Sequence, residues 1–209
     1  MHKVVHQKTE AGGEVMVEER MSYDALGREL TRSDGLGNTW QQIYDARGNV
    51  RYSIDPEGHA TESRYDNLDR MLENIRPGGI ALKLAYDPSG RLMSQTDALG
   101  HAVHYAYDAL DRQISMRYPE GETATYGYDG AGNRISSVDP NGTLTTEVYD
   151  GAGRRISRAW QTAAGVGGPV LETFDYDGLN RLIAAQSGGA ATSFSYDSVS
   201  RKTAESTNG

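Results

Sequence analysis

The 209-residue chain contains no cysteine, which excludes disulfide staples and thiolate metal sites. Phenylalanine and tryptophan number only two each, and hydrophobic residues make up 37%. That share lies well below the ~45–50% of an ordinary globular domain, so a thick core is excluded. No stretch approaches the ~20 consecutive apolar residues of a membrane helix. The opening Met1-His2-Lys3-Val4-Val5-His6-Gln7-Lys8 lacks the apolar centre of a signal peptide. Basic residues (21) are outnumbered by acidic ones (29), and the net charge of −8 argues against a phosphate-binding surface. No nucleic-acid partner and no membrane span is expected. What the chain has in quantity is glycine (25) and tyrosine (13), the composition of many short strands joined by turns.

These residues are placed periodically. Tyr-Asp stands at Tyr23-Asp24, Tyr44-Asp45, Tyr65-Asp66, Tyr86-Asp87, Tyr107-Asp108, Tyr128-Asp129 and Tyr149-Asp150, seven copies spaced by 21 residues. Two more, Tyr176-Asp177 and Tyr196-Asp197, follow at spacings of 27 and 20. A fixed period of this length marks a repeat array, and it argues against disorder. Each Asp opens an Asp-x-x-Gly turn ending at Gly27, Gly48, Gly90, Gly132 or Gly153, the type I pattern with a left-handed glycine. Elsewhere that place holds Asp69, Asp111, Asn180 or Ser200, and Asp and Asn are the side chains that best tolerate positive φ. About ten residues on comes a second turn, as in Asp55-Pro56-Glu57-Gly58, Asp97-Ala98-Leu99-Gly100 and Asp139-Pro140-Asn141-Gly142. Each repeat is therefore one β-hairpin. The leftover lengths fit short strands and leave no room for two helical turns.

Along one strand of each hairpin, Leu82, Leu84 and Tyr86, or Val103, Tyr105 and Tyr107, share the more apolar face. In the other an aliphatic residue falls seven after the tyrosine (Leu30, Leu72, Met93, Ile114, Ile135, Ile156, Ile183), and the next is often three later, which predicts a bulge or twist. The expected fold is all-β: an array of 21-residue β-hairpin repeats forming a curled, single-layered sheet, a segment of a hollow β-shell or spiral. Residues 1–22 read as a degenerate leading repeat, 23–160 as regular repeats, 161–169 as a Gly/Ala-rich enlarged turn, and 170–209 as irregular terminal repeats. No terminal cap is visible, so the array is expected to be part of a longer protein.

Tyr-Asp-x-x-Gly-Arg followed by Asp-Pro-x-Gly at this period resembles the YD or RHS repeat, over about residues 14–205. That family includes bacterial Rhs polymorphic toxins, the cocoon components of Tc toxin complexes, and teneurins. The resemblance implies a structural, non-enzymatic role: a shell that encloses and protects a C-terminal toxin domain. The implied partners are that toxin domain of the same polypeptide and a secretion or injection apparatus, and the implied setting is secretion or delivery from a bacterial cell. The family's self-cleaving region does not appear here, so no residue is assigned to it.

Other readings are weaker. The turn aspartates could ligate calcium as in β-roll repeats, but those repeats are shorter and each Asp here has a backbone task. His101 and His104 lie on opposite strand faces and cannot share a metal. Gly165-Val166-Gly167-Gly168 lacks the lysine and helix of a phosphate loop. No cofactor and no catalytic residue is expected. The arginines one past the turn glycine position (Arg28, Arg70, Arg91, Arg112, Arg154, Arg181, Arg201), replaced by Asn49 and Asn133 in two repeats, should pair with turn carboxylates or stack on neighbouring tyrosines. The alternative functional class is a binding module for cell-surface carbohydrate, using the spaced tyrosines as stacking platforms.

Overall fold

A computed structural model describes the backbone of residues 2–8, 14–162 and 170–208, and the side chains of 19–162 and 170–208. The chain divides into two compact units, Met1–Ala102 and Val103–Gly209. The first holds β1 (His2–Lys8), β2 (Glu14–Tyr23), β3 (Glu29–Ser33), β4 (Thr39–Tyr44), β5 (Val50–Ile54), β6 (Ala60–Tyr65), β7 (Met71–Arg76), β8 (Ile80–Tyr86) and β9 (Leu92–Thr96). The second, apart from its leading Ala102, holds β10 (Ala102–Tyr107), β11 (Gln113–Arg117), β12 (Thr123–Tyr128), β13 (Arg134–Val138) and β14 (Leu144–Tyr149). It continues with β15 (Arg155–Gln161), β16 (Val170–Tyr176), β17 (Leu182–Ser187), β18 (Ala190–Tyr196) and β19 (Lys202–Asn208). No α-helix occurs among the described residues, and none of their helical turns is long and apolar enough to cross a membrane. The fold is all-β, an array of antiparallel hairpin repeats.

Within each unit every strand pairs antiparallel with its neighbour in sequence, and contacts run almost wholly between such neighbours. Each unit is thus one layer. Among the described residues only Ala124 and Glu147 are buried, and no large side chain is wholly enclosed. The low hydrophobic content has its structural counterpart here, since a layer with one half-covered face has no interior to fill.

Every Tyr-Asp hairpin is closed the same way. In the turn after β12 the Gly132 amide donates to the Asp129 carbonyl at 3.2 Å, and the Asp129 amide donates to the Asn133 carbonyl at 3.0 Å. Gly132 sits at φ +92°, where a side chain would be strained. Asp69, Asp111, Asn180 and Ser200 occupy the same left-handed slot at φ 62°, 61°, 62° and 65°. The register then slips. Tyr128 stands opposite Arg134 but Gly127 stands opposite Ser136, which leaves Ile135 unpaired. The same slip recurs beside Tyr65, Tyr86, Tyr107, Tyr149 and Tyr176, so the bulge residue is itself the aliphatic seven after the tyrosine. A bulge locally increases right-handed twist, and one per repeat twists every hairpin alike.

The tyrosine face is the more covered one. Leu82, Leu84 and Tyr86 are half-buried while Lys83 and Ala85 are exposed, and Val103, Tyr105 and Tyr107 alternate likewise with His104 and Ala106. Two second-position turns depart from the type I expectation. Pro77–Gly79 form a single 3-10 turn with Gly78 and Gly79 both at positive φ. Between β17 and β18 only Gly188 and Gly189 remain, at φ 56° and 93°, a two-residue hairpin that accounts for the spacing of 20. In the leading segment β1 and β2 pair from His2 opposite Arg20 to Lys8 opposite Glu14. The enlarged turn read at 161–169 lies, from residue 163 on, outside the described residues; its flanks pair through Trp160 opposite Val170.

Candidate functional site

The feature that recurs is a clasp built at each Tyr-Asp turn. The Asp side chain first serves its own turn. Asp108 Oδ1 accepts the amides of Leu110 (2.8 Å) and Arg112 (3.0 Å), holding the loop in the conformation that the left-handed residue completes. Its other oxygen accepts Arg112 Nε at 2.7 Å. Arg112 then reaches forward. Its Nη1 donates to the Asp129 carbonyl at 2.9 Å, and its guanidinium lies 4.8 Å from the centre of the Tyr128 ring. Tyr128 in turn donates its hydroxyl to the Gln113 carbonyl at 2.8 Å. One arginine thus ties the carboxylate of its own turn to the carbonyl and the aromatic ring of the next.

The arrangement repeats in both units. Arg28 stacks on Tyr44 at 4.5 Å and Arg70 on Tyr86 at 4.9 Å; Arg154 stacks on Tyr176 and Arg181 on Tyr196, both at 4.9 Å. The hydroxyls of Tyr44, Tyr65, Tyr176 and Tyr196 donate to the carbonyls of Glu29, Val50, Arg155 and Leu182. The sequence reading offered carboxylate pairing or tyrosine stacking for these arginines. Arg28, Arg70, Arg112, Arg154 and Arg181 do both, to different repeats. Where Asn49 replaces the arginine, its Nδ2 still meets Asp45 at 3.2 Å, and the forward reach passes to Arg47, whose Nη1 donates to the Asp66 carbonyl at 3.2 Å.

The clasps hold the aspartate carboxyls below their ordinary pKa. At Asp24, Asp87, Asp177 and Asp197 the leading cause is the amide of the arginine four residues on, and at Asp150 it is the Arg154 side chain; all five lie below the ordinary value of 3.8. At Asp66 and Asp108 partial burial opposes the shift but the arginine bonds outweigh it. Tyr149 differs from its counterparts: its hydroxyl meets Glu147 Oε2 at 3.3 Å. Burial first, and then the Glu147 charge, push its phenol up.

Nothing in this arrangement positions a nucleophile against a base. Asp55, Glu57 and His59 bring ligand-type atoms within 4.8 Å of one another, but Asp55 already caps its own turn through the His59 amide at 2.8 Å. A cleft of about 420 Å³ in the first unit is lined by Glu19, Glu29, Arg32, Trp40, Gln42 and Ser53. The residues that sequence reading missed are Glu147 and the arginines around it. Strand parity held the signal, because Glu147 precedes Tyr149 by two and shares its face.

Single-layered units of twisted hairpins, knitted edgewise by arginines at several of their turns, define a repeat scaffold. The model for the RHS Repeat matches residues 86–123, 114–144 and 128–159, so that stretch of the chain is similar to RHS repeats. No curated protein sequence matches it significantly. Among solved structures it is similar to the crystal structure of TcdB2-TccC3-Cdc42, with a TM-score of 0.63 at 14% identity over 98% of this chain and 15% of that one. It is also similar to the crystal structure of TcdB2-TccC3, with a TM-score of 0.62 at 14% identity over 92% of this chain and 14% of that one. At these identities the likeness is one of fold. The chain spans about 15% of the length of the structures it matches.

Proposed function

We propose that the chain is a wall segment of a shell of RHS repeats that encloses a toxin domain carried further along the same polypeptide and protects it until delivery from the bacterial cell. The observation that carries this reading is the absence of an interior. An array whose described side chains are nearly all partly exposed can cover something, while almost none of its own side chains is buried within its thickness. Its recurring structural feature is the clasp, and a clasp repeated along the array suits a surface that must stay continuous over a long distance. The fold shared with TcdB2-TccC3 supports the same reading. In this role the Tyr-Asp-x-x-Gly residues are structural, and the segment contributes no catalytic group.

The carbohydrate alternative has less support. At Tyr44, Tyr86, Tyr128, Tyr176 and Tyr196 the preceding repeat's arginine already lies over one ring face, so that face is not free to stack on a sugar. The test uses the full polypeptide that contains this array, digested with trypsin alongside its separately expressed C-terminal domain. The expected result is a domain cut slowly within the whole protein and quickly alone. Equal cleavage rates would overturn the proposal.

A further inference from the structure

In the second unit the tyrosine face carries a cluster of charge unlike the clasps. Glu147 of β14 is buried, with a side chain 6% exposed, and three arginines converge on it from the flanking strands. Arg155 Nη1 lies 2.7 Å from Oε1, Arg158 Nε lies 3.8 Å from the same oxygen, and Arg134 Nε lies 4.0 Å from Oε2. Among the described residues these arginines form ion pairs with Glu147 alone, so one carboxylate answers three guanidiniums. The Nε atoms of Arg155 and Arg158 are buried without a hydrogen-bond acceptor. Aromatic rings flank the cations: Phe174 beside Arg155 at 5.0 Å, Trp160 beside Arg158 at 4.9 Å, and Tyr126 beside Arg134 at 5.8 Å.

A local surplus of positive charge, three arginines against Glu147 and Glu172, in a chain of net charge −8, is an electrostatic contrast with a direction. It is not the spread of basic residues that tracks a phosphate backbone, because Glu147 stands at its centre and Glu172 faces Arg158 across the strand pair. Arginine side chains that remain 34–49% exposed between aromatic rings suit carboxylates borne on a chain whose other side chains are apolar. We infer that the face around Arg134, Arg155 and Arg158 is a docking site for an acidic polypeptide segment, with acidic side chains on the arginines and apolar ones against Trp160 and Phe174. This rests on the local residues and does not require that the array enclose anything.

The experiment titrates the whole 209-residue chain into a fluorescein-labelled peptide of alternating glutamate and leucine, read by anisotropy, with the glutamine-leucine peptide as control. The glutamate peptide should bind, more weakly as salt is raised, and the glutamine peptide should not. Replacing Arg134→Gln and Arg158→Gln together should cost about tenfold or more in affinity. That variant keeps the 2.7 Å Arg155–Glu147 pair, and circular dichroism would establish that it folds. A variant of equal charge, Arg76→Gln with Arg117→Gln, should bind as the parent does. Equal binding of the two peptides, equal losses in the two double variants, or tighter binding of a thymidine oligonucleotide than of the glutamate peptide would each overturn the inference.

Discussion

Replacing Gly130 and Gly132 by alanine, one at a time, should move stability in opposite directions. Both glycines belong to the Asp129-Gly130-Ala131-Gly132 turn, and a Cβ built at either meets nothing within 4 Å. Steric crowding therefore cancels from the comparison and only the backbone differs. Gly132 lies at φ +92°, where an L side chain costs about 1–2 kcal/mol, offset in part by the lower entropy of the unfolded alanine chain. The net loss should be about 1 kcal/mol. Gly130 lies outside the left-handed region, so alanine there costs nothing in the folded turn and restricts the unfolded chain, a gain of about 0.4–1 kcal/mol. Two substitutions of identical chemistry, two positions apart, should thus separate by about 1.5–2 kcal/mol. Urea unfolding followed by circular dichroism measures this as midpoints shifting to either side of the parent at unchanged slope. If both variants shift the same way, the left-handed turn is not what holds this hairpin. Gly132→Asn should fall between alanine and the parent, since Asn180 fills the equivalent slot at φ 62°.

Tyr128→Phe removes the hydroxyl that donates to the Gln113 carbonyl at 2.8 Å and should cost about 1 kcal/mol in the same assay, and an unchanged midpoint would show that water replaces it freely. Arg112→Gln removes three contacts, so it should lower the urea midpoint and let the Asp108 acidity return towards its ordinary value in a carboxyl NMR titration; an Asp108 that titrates as before would mean that the backbone amides alone hold it down. For acid stability the sign follows from depressed aspartates: their contribution is complete above the unfolded value and is lost as pH falls through the folded one. The urea midpoint should therefore be flat above about pH 5 and fall below about pH 4, and a midpoint that holds through that lower range would contradict the clasp.

The hairpins were legible because the signals that make them are local. A turn aspartate two residues from the amide it holds, a left-handed glycine and a proline at the second place act within five residues. The substitutes Asp69, Asp111 and Asn180 follow from the same local rule. The bulge was half legible, since a broken alternation shows that one exists, while the slip between Gly127 and Tyr128 fixes Ile135 as the unpaired residue. The Glu147 cluster was not read at all. Its arginines come from β13 and β15, and only the register that sets Glu147 opposite Arg158 brings them onto one carboxylate.

By itself the sequence determined the period, the turns and the class of fold, because each depends on backbone preferences that a few neighbouring residues settle. Tertiary structure alone decided which turn an arginine serves beyond its own, which tyrosines have a ring face already taken, and where positive charge is left over. Those outcomes depend on residues from different turns meeting across strands, as Arg181 meets Tyr196 and Asp197, and they are set by register and bulge rather than by the residues' own identities.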